Sequence, residues 1–232
     1  MRTLDWSGWD WGASIKRYSR EIGVVLSGLL CLLGMMGGAV PGTVSRRRRL
    51  EVLAVLRPLE AAMRRVIVMV AKGVEVPLRR DAPTGAIPHG KGSSERPLPF
   101  PLFDPRNPPI PKRRYVPKAR EPRIWFFDGF DPPRISRAVP SDDDEISAVA
   151  LAKRLLSLQA ALSDIPKQAR RMARVVAKRE AAGKKIVRPV RYARPPGHRY
   201  KGKRPVDLLL SETHELACIA LREASREAKP PP

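Results

Sequence analysis

Residues 22–45 read IGVVLSGLLCLLGMMGGAVPGTVS, and this run contains no charged residue. A helix needs about 20 apolar residues to cross the hydrocarbon core of a bilayer, and residues 22–40 supply that length. We therefore predict a transmembrane helix over residues 22–45. Two alternatives stay open. One is a cleaved signal peptide, with small residues at 37–39 as its cleavage site, and the other is a helix that is buried in a soluble core or lies at an interface.

The two flanks of this run differ in charge. Four cations lie in the N-terminal tail, residues 1–21, and seven lie within about 20 residues of the other end. They are Arg2, Lys16, Arg17 and Arg20 on one side and Arg46, Arg47, Arg48, Arg49, Arg57, Arg64 and Arg65 on the other. Because the more cationic flank of a span favours the cytoplasm, we predict a single-pass protein of a bacterial inner membrane with a cytoplasmic C-terminal body.

Residues 46–75 predict a basic amphipathic helix. Several charged residues interrupt its apolar sequence, and an arginine at mid-bilayer is too costly for a second span. The helix starts with four arginines that would contact anionic membrane headgroups, namely Arg46, Arg47, Arg48 and Arg49. Pro58 has no amide N–H, so we expect it to kink or restart the helix near Arg57.

Fifteen of the 25 prolines lie between residues 77 and 140. A residue that precedes proline is disfavoured in the helical region, so residues 76–140 are predicted to be a proline-rich, mostly disordered linker. An aromatic island at residues 123–132, RIWFFDGFDP, would dock on the rest of the chain or on a partner.

Residues 85–91 have the GxxxxGK spacing of a phosphate-binding loop. The flanking prolines exclude the strand and the helix that such a loop must join, so we interpret residues 85–91 as a flexible turn.

Residues 141–182 predict a pair of helices, because Ser141 and Asp144 resemble a capping box and apolar residues then recur with the four-three spacing of a packed seam. Pro166 divides the seam, and Asp164 before it has capping chemistry, so two helices are expected to meet there. The seam either packs within a helical hairpin, which we favour, or mediates self-association. Its central residues are Leu151, Leu155, Leu158 and Leu162.

The most basic part of the chain follows this seam. Residues 167–204 contain 15 lysines and arginines and one acid, in a chain of 232 residues whose net charge is +22. Such a charge indicates an anionic partner, either lipid headgroups or nucleic acid. We predict that this anionic partner binds the second helix of the pair and a basic flexible tail at residues 183–204. A C-terminal amphipathic helix is predicted to follow at residues 205–228. The candidate contacts are Arg170, Arg171, Arg174, Lys178, Arg199, Lys201, Lys203 and Arg204.

A resemblance to a known group rests on three features. They are the segment ALAKRLLSLQAALSDIPKQARRMARVVAKR at residues 150–179, the motif RPPGHR at residues 194–199, and a C-terminal helix that contains His214. Together they resemble a group of small basic hypothetical proteins of alphaproteobacteria. The resemblance covers residues 46–56 and the final third of the chain. That group has no assigned activity, so the resemblance implies no functional residue.

The sequence contains no recognisable catalytic arrangement of nucleophile, base and acid, and we do not expect an enzyme. His214 and Cys218 lie four residues apart, but a structural zinc site needs four ligands, and we predict neither a metal nor a cofactor. The expected fold class is mainly α, with an N-terminal transmembrane helix, amphipathic helices in a small bundle or hairpin, and the long proline-rich disordered middle. The predicted function is that of a membrane-anchored basic tethering protein that contacts anionic surfaces. The alternative is a soluble nucleic-acid-binding protein with a buried N-terminal apolar helix.

Overall fold

The structure is a computed structural model, and it describes residues 10–36, 40–74, 76, 99–105, 141–183, 188–199 and 202–227. These parts of the chain form five helices and one two-stranded sheet. The helices are α1 (Trp11–Leu32), α2 (Arg46–Ala71), α3 (Val149–Ser163), α4 (Ile165–Ala181) and α5 (Pro205–Glu227), and the strands are β1 (Thr43–Ser45) and β2 (Glu145–Ser147). The fold is mainly α, which confirms the predicted class at that level.

Helix α2 is the centre of the fold, and it contacts each of the other four helices. Every residue from 58 to 69 is buried, so all faces of its C-terminal half are covered. The expected restart of the helix near Arg57 is wrong, because α2 continues through Pro58 as one helix. Proline in a helix interior costs about 3 kcal/mol, and full burial of Leu56 and Leu59 offsets this at about 1.5–3 kcal/mol for each side chain.

Helix α1 packs one face on the bundle. It begins after Asp10, whose carboxylate accepts a hydrogen bond from the amide of Ala13 at 2.8 Å. It ends at Leu32, and Gly34 follows with a φ of 68°, a left-handed conformation that favours glycine. Its contacts are with α2, α3 and α5. The buried residues recur at three- and four-residue intervals and are Tyr18, Ile22, Leu26, Leu29 and Leu30.

The single helix predicted over residues 22–45 is wrong, because this run contains the end of α1, a turn and strand β1. Ile22 and Leu26 have exposed fractions of 0% and 2%, which places the most apolar face of α1 in the protein core. In the described part of the chain, no helix combines the length and the apolarity that crossing a bilayer requires. The transmembrane assignment is thus unsupported, and the packing of α1 is that of the alternative, a buried apolar helix.

Strands β1 and β2 pair in antiparallel orientation, with Val44 opposite Ile146. The expected helix start at Ser141 is wrong, since residues 145–147 form β2 and α3 begins only after it. The backbone carbonyls of Asp142 and Asp144 accept hydrogen bonds from the first two amides of α2, both at 2.9 Å. The backbone of the acidic run therefore supplies hydrogen-bond acceptors for the first amides of α2, and the run is not the start of α3.

Helices α3 and α4 meet at Asp164. Its carboxylate accepts a hydrogen bond from the amide of Lys167 at 3.0 Å, and Pro166 occupies the first turn of α4. Leu151, Leu155 and Leu158 are at most 3% exposed, and Leu162 is partly buried. Because these leucines pack within the chain, on the side of α3 that meets α1 and α2, we do not propose them as a self-association surface.

A short piece of the proline-rich middle also packs on the bundle. Phe100, Leu102 and Asp104 have exposed fractions of 2%, 4% and 6%. The expectation of a disordered linker is wrong for this FPLFD segment, residues 100–104, because two apolar side chains and a paired carboxylate hold it in place. The aromatic island at residues 123–132 and the GxxxxGK spacing at residues 85–91 lie outside the described residues.

Candidate polyanion-binding face

Helix α4 contains six lysines and arginines and one acid. Its buried side is narrow and consists of Ala169 and Met172. Four exposed cations lie three or four residues apart, which places them along one side of the helix. This side, the α4 basic face, consists of Lys167, Arg170, Arg174 and Lys178.

Three members of this face lack a carboxylate partner within the described structure. Among the described residues, neither Lys167 nor Arg170 nor Arg174 takes part in a salt bridge. Arg170 donates from Nε to the backbone carbonyl of Pro166 at 3.4 Å, a contact that leaves its charge uncompensated. The face therefore directs positive charge to the solvent, where an anionic partner can reach it.

Arg171 differs from its neighbour Arg170. Its Nη1 donates to the carbonyl of Phe100 at 3.0 Å and to the side-chain oxygen of Gln168 at 3.3 Å. Its side chain is half-buried, whereas that of Arg170 is exposed. Arg171 was predicted as a polyanion contact, and the structure places it where it fastens the FPLFD segment to α4.

A second basic element, residues 188–199, lies next to this segment, and we call it the basic arm. Its cations are Arg188, Arg191, Arg194 and Arg199, and it has no acid. The amide of Arg191 donates to Asp104 Oδ2 at 3.1 Å, and the carbonyl of Pro189 accepts from the amide of Asp104 at 2.9 Å. Arg171 and the arm thus contact opposite ends of a five-residue segment, which spans at most about 14 Å. The FPLFD segment thus contacts both α4 and the arm, and we refer to the α4 basic face and the arm together as the basic surface.

The RPPGHR motif fixes the arm on α2. Gly197 has a φ of 83°, and a Cβ at this position would lie 2.7 Å from the backbone nitrogen of Pro58. Such a close approach requires glycine, and it occurs at a nitrogen that carries no hydrogen. Pro195 is buried beside it, whereas Arg199 is exposed. The motif therefore has a structural role, and it leaves Arg199 available to a partner.

The remaining predicted contacts lie on either side of this surface in the sequence. Lys203 and Arg204 are exposed just before α5, and Lys201 lies outside the described residues. In the first turn of α2, Arg47 and Arg48 are exposed, whereas Arg46 and Arg49 are half-buried. Arg47 forms a salt bridge with Glu51 at 3.2 Å.

Two arginines of α2, Arg64 and Arg65, are buried; the sequence analysis counted them only as cations that flank a span and did not predict their burial. Arg65 is 0% exposed, and its Nη2 lies 3.1 Å from Asp104 Oδ2. Its Nη1 donates to the carbonyl of Ala61 at 2.6 Å, and its Nε donates to His214 Nδ1 at 3.1 Å. Burial lowers the pKa of Arg65, and the neighbouring Asp104 carboxylate opposes that shift.

Arg64 extends the same buried network. Its Nη1 lies 3.4 Å from Asp104 Oδ1, and its Nη2 lies 3.6 Å from Glu60 Oε2. Glu60 also accepts from Arg154 of α3 at 2.7 Å. One signal could have found this network: Phe100, Leu102 and Asp104 alternate in an extended segment, which places all three on one side. An aspartate on a buried side requires a cation, and α2 supplies two.

His214 lines an open cleft of about 500 Å³ between the arm and α5, together with Tyr192 and His198, and Cys218 lies one helical turn further along α5. Burial and the adjacent Arg65 lower the pKa of His214, and a backbone hydrogen bond to Tyr192 opposes them. Cys218 Sγ lies 3.8 Å from His214 Nδ1, which already accepts from Arg65. Burial raises the pKa of this thiol, so it is not an activated nucleophile. The described residues contain no cluster of three or more potential metal ligands.

Comparisons of the chain with protein-family models, with curated proteins and with solved structures gave no match. Function is therefore inferred from the geometry and charge of the basic surface.

Proposed function

We propose that this protein binds nucleic acid, chiefly through phosphates, with the α4 basic face and the basic arm as the contact surface. The observation that carries the proposal is the exposure of Lys167, Arg170 and Arg174 along one side of a single helix, without a salt bridge among the described residues. Cations that the fold does not use are available to neutralise phosphates.

The length of the face suits a nucleic-acid backbone. Lys167 and Lys178 are eleven residues apart, which corresponds to about 16 Å along a helix. Duplex DNA carries one negative charge per about 1.7 Å of its axis, so several phosphates lie within reach of this face. Lysine and arginine contacts of this kind position a protein on the backbone and carry no sequence information. We therefore expect binding that is strongly salt-dependent and nearly independent of base sequence.

Nucleic acid fits this face better than a bilayer does. A helix that binds at a lipid surface presents large apolar side chains together with its cations. The exposed large apolar side chains of the described residues lie on other elements, and none lies on α4. The basic arm adds Tyr192, with the guanidinium carbon of Arg188 at 4.7 Å from its ring centroid. An aromatic ring beside cations is a common feature of single-strand binding surfaces.

The test is a titration of the full chain with duplex DNA and single-stranded RNA, using two variants that each remove two exposed arginines. Arg170→Gln/Arg174→Gln alters the α4 basic face. Arg17→Gln/Arg47→Gln is the matched control, since its two arginines are exposed but already paired with glutamates. We expect the first variant to lose affinity by about tenfold and the control to lose little. Equal losses in both variants, or no binding by the parent chain at micromolar concentration, would overturn the proposal.

The membrane-anchored tether is the second candidate, with a single-pass anchor in the inner membrane and a cytoplasmic body. The observation that favours it is the exposed apolar surface in and just after the C-terminal half of α1, where Val24 and Met36 are each 68% exposed. Carbonate extraction of membranes from expressing cells separates the two candidates. An integral membrane protein stays in the pellet, whereas the nucleic-acid-binding protein appears in the supernatant.

A further inference from the structure

The outward side of α1 changes character along its length. Toward its C-terminal end it presents uncharged, exposed residues, and we call this part the α1 outer strip: Val24, Ser27, Gly28, Cys31 and Leu32. Val24 and Leu32 are 68% and 48% exposed, and the chain beyond the helix continues with Met36 at 68%. The opposite side of the helix is packed in the core, so among the described residues the strip is the side of α1 that faces away from the bundle.

Cations bound this strip at both ends. Lys16 and Arg20 are exposed on the preceding turns of the same side of α1. The ammonium of Lys72, just past the end of α2, lies 5.6 Å from the ring centroid of Trp11, so the start of α1 lies beside the end of α2. At the other end of α1, a connection of 13 residues leads to the first turn of α2, where Arg47 and Arg48 are exposed.

We propose that the α1 outer strip docks on the surface of an anionic bilayer, with α1 lying in the membrane plane. The apolar strip would enter the boundary between headgroups and acyl chains, and the cations at its two ends would contact anionic headgroups. The core face of α1 stays packed on the bundle during this contact, so the proposal requires no unfolding and no span. It is independent of nucleic-acid binding, which uses α4 and the basic arm.

A second copy of the chain is a poorer occupant of this strip. If two α1 strips met in parallel, Lys16 and Arg20 of one copy would face the same cations of the other. If they met antiparallel, those cations would face the Arg47 and Arg48 end of the other copy. Both arrangements place like charges together between chains whose net charge is +22, whereas an anionic lipid surface is complementary at both ends.

Vesicle sedimentation of the full chain tests the proposal, with phosphatidylcholine vesicles that either contain or lack phosphatidylglycerol. The test variant is Val24→Asp/Leu32→Asp, and the matched control is Val149→Asp/Leu208→Asp, which changes two exposed apolar residues, 44% and 56% exposed, on α3 and α5. We expect the parent chain and the control to bind the anionic vesicles, and the test variant to bind at least about tenfold more weakly. Equal binding by the test variant, or no binding by the parent chain, would overturn the proposal.

Nucleic-acid binding by the same variants shows whether the two surfaces are separate. Val24→Asp/Leu32→Asp should bind duplex DNA like the parent chain, and Arg170→Gln/Arg174→Gln should still bind anionic vesicles. If the α4 variant loses vesicle binding and the α1 variant keeps it, lipid contacts the α4 basic face and the docking proposal fails. If nucleic acid never binds but the α1 variant alone loses vesicle binding, the docking proposal stands without the proposed function.

Cys31 offers a measurement that needs no change to the strip. It is exposed, whereas Cys218 is buried, so a polarity-sensitive thiol dye labels Cys31 preferentially. We expect its emission to shift to shorter wavelength when anionic vesicles are added, because the dye enters a less polar layer. The absence of a shift would contradict the proposal. So would a disulfide between the Cys31 residues of two copies that forms without lipid and prevents vesicle binding.

Discussion

The structure uses two pairs of adjacent arginines differently: Arg64 and Arg65 in the C-terminal half of α2, and Arg170 and Arg171 in α4. Arg64 and Arg65 are 4% and 0% exposed and share the carboxylate of Asp104. In α4, Arg170 is exposed with no salt bridge among the described residues, and Arg171 donates to a backbone carbonyl. A buried arginine that shares a carboxylate thus holds the fold, whereas an exposed arginine without such a partner is available to bind another molecule.

The largest effect is expected from breaking the buried pair. Arg65→Met keeps an unbranched side chain but leaves Asp104 buried with a weaker set of partners. Removal of one member of a buried ion pair costs about 3–5 kcal/mol, and we expect the free energy of unfolding to fall by that amount. Urea unfolding measures it. In Arg65→Met/Asp104→Leu, which removes both charges, part of the loss should be recovered. A single variant as stable as the parent chain would show that the network does not hold the fold.

The next effect concerns the anchor of the basic arm. Gly197→Ala must accept both a left-handed backbone and a Cβ only 2.7 Å from Pro58, whereas Gly183→Ala, at a φ of 59°, meets open space. We expect the control to lose about 1 kcal/mol from backbone strain and Gly197→Ala to lose a further 1–3 kcal/mol, roughly, from overpacking. Thermal unfolding of both variants compares the two losses. Equal losses would mean that the arm does not rest on α2.

A smaller effect should separate the adjacent arginines of α4. Arg171→Gln removes the hydrogen bond to the Phe100 carbonyl, and we expect a loss of about 1 kcal/mol in the free energy of unfolding. Arg170→Gln should leave stability unchanged, because an exposed cation contributes little. The order should reverse for duplex DNA, with Arg170→Gln the weaker binder. Unfolding and binding measured on the same preparations provide the comparison, and identical profiles would argue against distinct roles.

The smallest effect is a dependence of stability on pH through His214. Its pKa in the folded protein is lowered, chiefly by burial and then by Arg65, so the folded state favours the neutral ring. The unfolded ring takes up a proton at a pH of about 6.5, so this stabilisation is fully present above that pH and is lost as the pH falls toward the folded-state value. We expect the free energy of unfolding to decrease over that window, and to decrease less in His214→Gln. An unchanged pH profile in the variant would exclude His214 as the source.

The sequence predicted the helical class and the division between α3 and α4, because apolar periodicity and the capping residue Asp164 are local signals. It predicted the basic face of α4 from the spacing of its cations. It did not predict the buried network, since Arg65, Asp104 and His214 are far apart in the chain and only the folded bundle brings them together. It also misjudged residues 22–45, because the length of an apolar run does not show which face of its helix is covered by the rest of the protein.

The salt dependence of duplex DNA affinity shows whether the α4 basic face binds phosphates, with the parent chain, Arg170→Gln/Arg174→Gln and Arg17→Gln/Arg47→Gln measured side by side. If the α4 basic face binds phosphates, the slope of log affinity against log salt should become shallower by about 0.9 for each phosphate that the first variant no longer neutralises. The control should keep the slope of the parent chain. An unchanged slope in the first variant, or an equal change in the control, would contradict the assignment of the unpaired cations of α4 to nucleic-acid binding.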